Sequence, residues 1–85
     1  MDIYFVYIVE CSDLSLYTGI TKDVTRRIIE HNTTPKGARY TKMRLPVILK
    51  YFERVGTRGD ALKREYQIKQ LSREQKISLI HTSHL

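Results

Sequence analysis

Tryptophan is absent from the 85 residues, cysteine occurs once, proline twice and glycine four times, and nine acidic side chains face fifteen basic ones. A lone Cys11 cannot form an internal disulfide, so the fold must hold by packing, as suits a reducing cytoplasm. No stretch approaches the roughly 20 apolar residues of a membrane-spanning helix. The N-terminus has no basic stretch followed by a signal-like apolar run, so the expectations are no membrane partner and a cytoplasmic location. The length suffices for one modest core and not two, so residues 1–85 read as a single domain. His81 and His84 lack nearby companions of ligand type, which argues for a solvated tail over a zinc site.

What the chain does have is concentrated. Between Lys22 and Lys50 stand eight basic residues against two acidic ones, while the remainder carries seven of each sign and cancels. A positive field confined to one segment points to an anionic polymer, foremost a nucleic acid. Six of the eight aromatic residues are tyrosines, so several core positions carry a hydroxyl that needs a partner or a task.

The run from Ile3 to Val9 is apolar on both parities, as expected for a central strand covered on both faces. A turn-rich Ser12-Asp13-Leu14-Ser15 returns the chain along Leu16–Ile20 as a hairpin. A loop of odd length, pairing Cys11 with Tyr17 and Val9 with Gly19, would put Tyr7 and Tyr17 on one face and leave room at Gly19 for a ligand or another backbone. A helix then starts near Asp23, capped by Thr21 or Asp23, with Val24, Ile28 and Ile29 as its apolar arc and Arg26–Glu30 as a solvated pair. Arg27 and His31 flank the buried stripe; helix geometry alone accounts for them as a snorkelling arginine and a partly buried histidine. The segment from Thr33 to Pro46 is a basic loop with one helical turn at Ala38–Lys42, suited to phosphate contacts. Val47–Glu53 forms the third strand, followed by a helix from Thr57 to about Gln70 and a last one opened by the capping box Ser72-Arg73-Glu74-Gln75. The fold class expected is α+β: a three-stranded antiparallel sheet, order 2-1-3, flanked by helices.

One carboxylate is out of place. Ala61, Leu62 and Ile68 define the inward arc of the helix after the third strand, and Glu65 projects from its middle. Burying it alone costs several kcal/mol, so it must be neutralised, paired with Arg27 or Arg64, or bound to metal. If this helix and the first pack on the same sheet face, one pocket gathers Tyr7, Tyr17, Arg27, His31 and Glu65. That set meets the needs of phosphodiester hydrolysis. A single carboxylate can hold one Mg²⁺ or Mn²⁺, which polarises phosphate and stabilises the leaving 3′ oxygen. Arg27 offsets charge on the phosphoryl oxygens, and a tyrosine or His31 takes the proton of the attacking water. A phenol acting as base needs its pKa lowered from about 10 by the cation, the arginine or a water chain.

Val6-Tyr7-Ile8, Tyr17-Thr18-Gly19, Arg27, His31 and Arg64-Glu65 together resemble the motifs of the GIY-YIG nuclease superfamily. Gly37-Ala38-Arg39-Tyr40-Thr41 and Ala61–Lys69 are similar to its small stand-alone, single-domain bacterial branch. The resemblance implies catalytic roles for Tyr7, Tyr17, Arg27 and His31 and a metal-binding role for Glu65. The chain departs from the pattern at Phe5, where the first motif has glycine, and at Leu14, where a turn glycine is usual. The late asparagine that some members place near the phosphate has no counterpart. The resemblance implies a metal-dependent DNA endonuclease using one Mg²⁺ or Mn²⁺ on branched, nicked, single-stranded or damaged DNA, in repair or recombination. Lys22, Arg26, Lys36, Arg39, Lys42 and Arg44 are the expected phosphate contacts. Family members elsewhere carry separate DNA-binding domains, so affinity is expected to be modest here or supplied by a protein partner. The rivals are a non-catalytic nucleic-acid-binding module on the same fold and an adaptor whose basic loop meets an acidic protein.

Overall fold

The computed structural model describes residues 2–82, so His84 lies outside the described residues. In chain order the elements are β1 (Tyr4–Glu10), β2 (Leu16–Thr21), α1 (Val24–Thr33), α2 (Arg39–Lys42), β3 (Ile48–Gly56), α3 (Arg58–Lys69) and α4 (Arg73–Thr82). The strands pair antiparallel in the order β2-β1-β3, giving the expected α+β architecture. β3 runs three residues past Glu53, because its pairing with β1 continues to Tyr4 opposite Gly56. No helix among the described residues is long and apolar enough to cross a membrane.

Residues of β1 alternate between two cores. Val6 and Ile8 pack with Tyr51 of β3 and with Ala61 and Ile68 of α3, joined by Leu79 and Ile80 of α4. Tyr7 and Val9 point the other way, into a second cluster with Cys11, Val47, Tyr17 and Ile28 of α1. Helices α1 and α3 therefore cover opposite faces of the sheet, which corrects the condition that they share one. The apolar character of β1 on both parities already demands cover on both sides, and the two helices divide that work.

The hairpin closes over five residues, with Glu10 opposite Leu16, Val9 opposite Tyr17 and Tyr7 opposite Gly19. The odd parity holds and both tyrosines share a face, but each pairing is displaced by two residues from the one expected. The turn explains the displacement. Asp13 accepts from the Ser15 N–H at 3.0 Å, the Cys11 N–H donates to the Ser15 carbonyl at 2.8 Å, and Leu14 adopts φ +69° between them. That left-handed conformation is the one a glycine supplies without steric cost.

Caps fix the helix starts. Asp23 accepts from the Arg26 N–H at 3.0 Å, Thr57 and Asp60 form a reciprocal capping box, and Ser72 and Gln75 form another. Two expected core residues are not in the core: Ile29 is 56% exposed and Leu62 38%. On α3 the buried side chains are Ala61 and Ile68, with Glu65 between them on the same inward arc.

Candidate active site

The centre of the α1 face is a chain of polar side chains in a buried setting. Tyr7 reaches it from β1 and His31 from the last turn of α1, and the Tyr7 Oη lies 2.8 Å from His31 Nε2, both residues being only 1% exposed. The other imidazole nitrogen, Nδ1, lies 2.8 Å from Thr41 Oγ1 on α2, and that hydroxyl donates to the Ala38 carbonyl at 2.9 Å. The Arg27 guanidinium lies beside the Tyr7 phenol, donates to the Lys36 carbonyl at 2.9 Å and pairs with Glu30 at 3.2 Å. Tyr17, on the edge strand β2, is half-buried, with its ring edge-on to His31 at 5.8 Å and stacked on Tyr40 at 5.9 Å.

Gly19 is what lets this close. A Cβ there would sit 2.6 Å from the Tyr7 Oη, so the room that glycine leaves is taken by the tyrosine directly across the ladder. The expected vacancy for a ligand is filled by the protein's own phenol.

Burial sets the protonation states. It pushes the Tyr7 phenol up to about 12, against the lowering influence of Arg27. It pushes His31 down to about 4, with the charge of Arg27 acting in the same direction. At neutral pH the pair is thus a protonated phenol and a neutral imidazole. Both ring nitrogens of His31 are engaged by protein groups and the residue is 1% exposed, whereas Tyr17 and Tyr40 lie nearer the surface of this face.

Glu65 comes from the other layer. Helix α3 packs against β2, the edge strand beside this face, and the Glu65 carboxylate is close enough for its charge to raise the Tyr7 phenol. Its side chain is 18% exposed and pairs with Lys69 at 3.4 Å. The pairing with Arg27 or Arg64 considered from the sequence does not occur: Arg64 makes two hydrogen bonds to Glu53, at 2.9 and 3.1 Å, and Tyr51 donates to the same carboxylate. No group of three or more acidic, histidine or cysteine side chains among the described residues could hold a metal. Glu65 as a lone carboxylate, with water and phosphate oxygens completing the shell, nonetheless suits Mg²⁺, which dehydrates reluctantly and seldom occupies an all-protein cage.

The basic residues divide into engaged and open. Lys22 pairs with Asp2 at 3.5 Å and Arg26 with Glu30 at 3.3 Å, both largely exposed. Arg44 is committed inside the protein: it pairs with Asp13 at 3.0 Å, donates to the Tyr40 carbonyl and lies 4.0 Å from the centre of the Tyr40 ring. Lys36, Arg39 and Lys42 are exposed and form no ion pair among the described residues. Sequence reasoning missed Tyr40 and Thr41, which join the site through α2. A threonine inside a basic loop reads as a phosphate contact, and only its complete burial reveals otherwise.

Two tyrosines, an arginine and a histidine on one face, with a carboxylate from α3 in the other layer, point to a class of protein, and comparison with known proteins shows which. The profile of the GIY-YIG catalytic domain matches residues 3–78. The chain belongs to that family, a family of nucleases acting on nucleic acid and generally dependent on a divalent metal. Its relatives include a UPF0213 protein of Staphylococcus epidermidis, 58% identical over 94% of this chain and 96% of that protein. Another, from Desulfotalea psychrophila, is 56% identical over 94% of this chain and 73% of its own length. Among solved structures, the solution NMR structure of a UPF0213 protein from Bacillus halodurans is similar, with a TM-score of 0.61 and 42% identity, covering 95% of this chain and 85% of that one.

Proposed function

We propose that the chain, acting as one domain over residues 1–85, is a Mg²⁺- or Mn²⁺-dependent DNA endonuclease that hydrolyses a phosphodiester bond. The observation that carries the proposal is the 2.8 Å hydrogen bond between the Tyr7 phenol and an imidazole held neutral, beside the Arg27 guanidinium. Glu65 would hold the one divalent ion, which when bound supplies polarisation of the phosphate and stabilisation of the leaving 3′ oxygen. The half-buried Tyr17 hydroxyl orients the attacking water. As its oxygen bonds to phosphorus and the bond to the 3′ oxygen breaks, the water proton passes to Tyr7 Oη while the phenol's own proton moves to His31 Nε2. Arg27 offsets the charge that builds on the phosphoryl oxygens. Lys36, Arg39 and Lys42, with Lys22 and Arg26 beside α1, hold the backbone of the strand, whereas Arg44 serves the protein's own turn. With no base-reading helix recognisable among the described residues, the substrate is chosen by shape: branched, nicked, single-stranded or damaged DNA, in repair or recombination in the cytoplasm, with a protein partner adding specificity.

A non-catalytic nucleic-acid-binding module is the second reading. It is favoured by the pairing of Glu65 with Lys69 and by a Tyr7 phenol that holds its proton up to about 12. Incubation of supercoiled plasmid and branched substrates with Mg²⁺, Mn²⁺ or a chelator separates the two. Nicking that requires metal and is lost in a folded Arg27→Ala variant supports the enzyme; binding to several DNA structures without cleavage under any metal supports the module.

A further inference from the structure

The buried polar chain has a direction, and counting its protons shows it. Thr41 Oγ1 sits 2.9 Å from the Ala38 carbonyl oxygen and 2.8 Å from His31 Nδ1. A carbonyl has no proton to give, so the first contact consumes the threonine's single hydroxyl proton. The second contact then requires a proton on Nδ1, and a neutral imidazole protonated at Nδ1 is bare at Nε2. Tyr7, 2.8 Å from Nε2, must therefore donate to it. The opposite arrangement fails at the far end. With Nε2 protonated, the Tyr7 oxygen would accept from His31, and its own proton would be buried with no acceptor among the described residues. Such a loss costs about 1–3 kcal/mol.

We infer that Thr41 is a positioning residue for the reaction: its hydroxyl, anchored on the Ala38 carbonyl, holds His31 in the tautomer protonated at Nδ1 and so aims the Tyr7 proton at Nε2. The fold is built around this contact. Thr41 is fully buried on a helix of only four residues, and Gly37 lets the chain pass so close to His31 that a Cβ there would lie 3.1 Å from the His31 Cα. The Ala38 N–H stands 3.5 Å from Nδ1, too long to compete while the hydroxyl is present. It becomes the nearest donor to Nδ1 once that hydroxyl is gone. Removing the hydroxyl thus favours a bare Nδ1 and a protonated Nε2, reversing the hydrogen bond to Tyr7.

The inference rests on the nuclease reading only for its catalytic consequence. The tautomer itself is read directly by long-range ¹H–¹⁵N NMR of the histidine rings in labelled protein at neutral pH. In the unaltered protein the expected pattern for His31 is a protonated Nδ1 and a bare Nε2; the reverse pattern overturns the inference, whether or not the protein cleaves anything. Thr41→Ser is expected to keep the unaltered pattern. Thr41→Val, of nearly the same shape, is expected to move His31 toward the Nε2-protonated form and, where metal-dependent cleavage is present, to slow it about 10- to 100-fold while serine restores it. A Thr41→Val protein that folds and keeps the Nδ1-protonated pattern also overturns it. If no variant or parent cleaves, the nuclease reading fails while the spectra still decide the role of Thr41.

Discussion

The two faces of the sheet are made from the same strand and do different work. On the side of α3 and α4, Val6 and Ile8 meet Tyr51, Ala61 and Ile68, and that core is built from apolar contact. On the side of α1 and α2, the intervening Tyr7 and Val9 meet Tyr17, His31 and Thr41, and the burial includes a chain of hydrogen bonds. A residue's parity on β1 therefore tells which of the two cores its replacement disturbs, the apolar one or the one that holds the polar chain. Glu65 is the exception that links the layers, since its helix belongs to the first face and its charge is felt by Tyr7 on the second.

Substitutions can break this division or sharpen it. Ile68→Ala should have the largest effect, costing roughly 2–5 kcal/mol in urea denaturation while leaving cleavage per folded molecule unchanged. A loss of activity without a loss of stability there would put α3's core residues in the chemistry. Tyr7→Phe should do the reverse, lowering cleavage about 100-fold or more. Its stability should fall by about 1–3 kcal/mol, because the buried His31 Nε2 is left without its partner. Thermal melts alongside plasmid nicking would test both halves.

Acid should act through the second face first. With the His31 pKa held at about 4 in the fold against an ordinary 6.5, the unfolded chain binds the proton more readily, so its contribution is intact above pH 6.5 and declines as the pH falls toward 4. The expected loss is about 3 kcal/mol across that window. It should be largely absent in His31→Gln, and an unchanged slope in that variant would reassign the effect. The smallest change lies outside both faces: Leu14→Gly, relieving φ +69° in an exposed turn, should raise stability by about 0.5–1 kcal/mol, seen as a higher melting temperature.

Much of this division was legible in the chain. Alternation and turn residues reveal three strands in their order, and the capping residues Asp23, Thr57 and Ser72 mark where helices begin. Gly19 was expected opposite Val9 and stands opposite Tyr7, because the register depends on where the turn closes, and a leucine at position 14 hides the left-handed backbone that a glycine there would have marked. Placing α1 and α3 on one face conflicted with β1 itself, whose two apolar parities require cover on both sides. Thr41 and Tyr40 were hidden for a different reason: their partners, His31 and Tyr17, lie 10 and 23 residues away, and only the folded loop makes them neighbours.

The proposed nuclease needs one carboxylate, Glu65, to serve from one layer the site built in the other. Metal-dependent nicking of supercoiled DNA by Glu65→Gln, measured beside its melting temperature, tests that. The result expected is a protein as stable as the parent that no longer nicks with Mg²⁺ or Mn²⁺; a stable Glu65→Gln protein that nicks at the parent rate with either ion would contradict it.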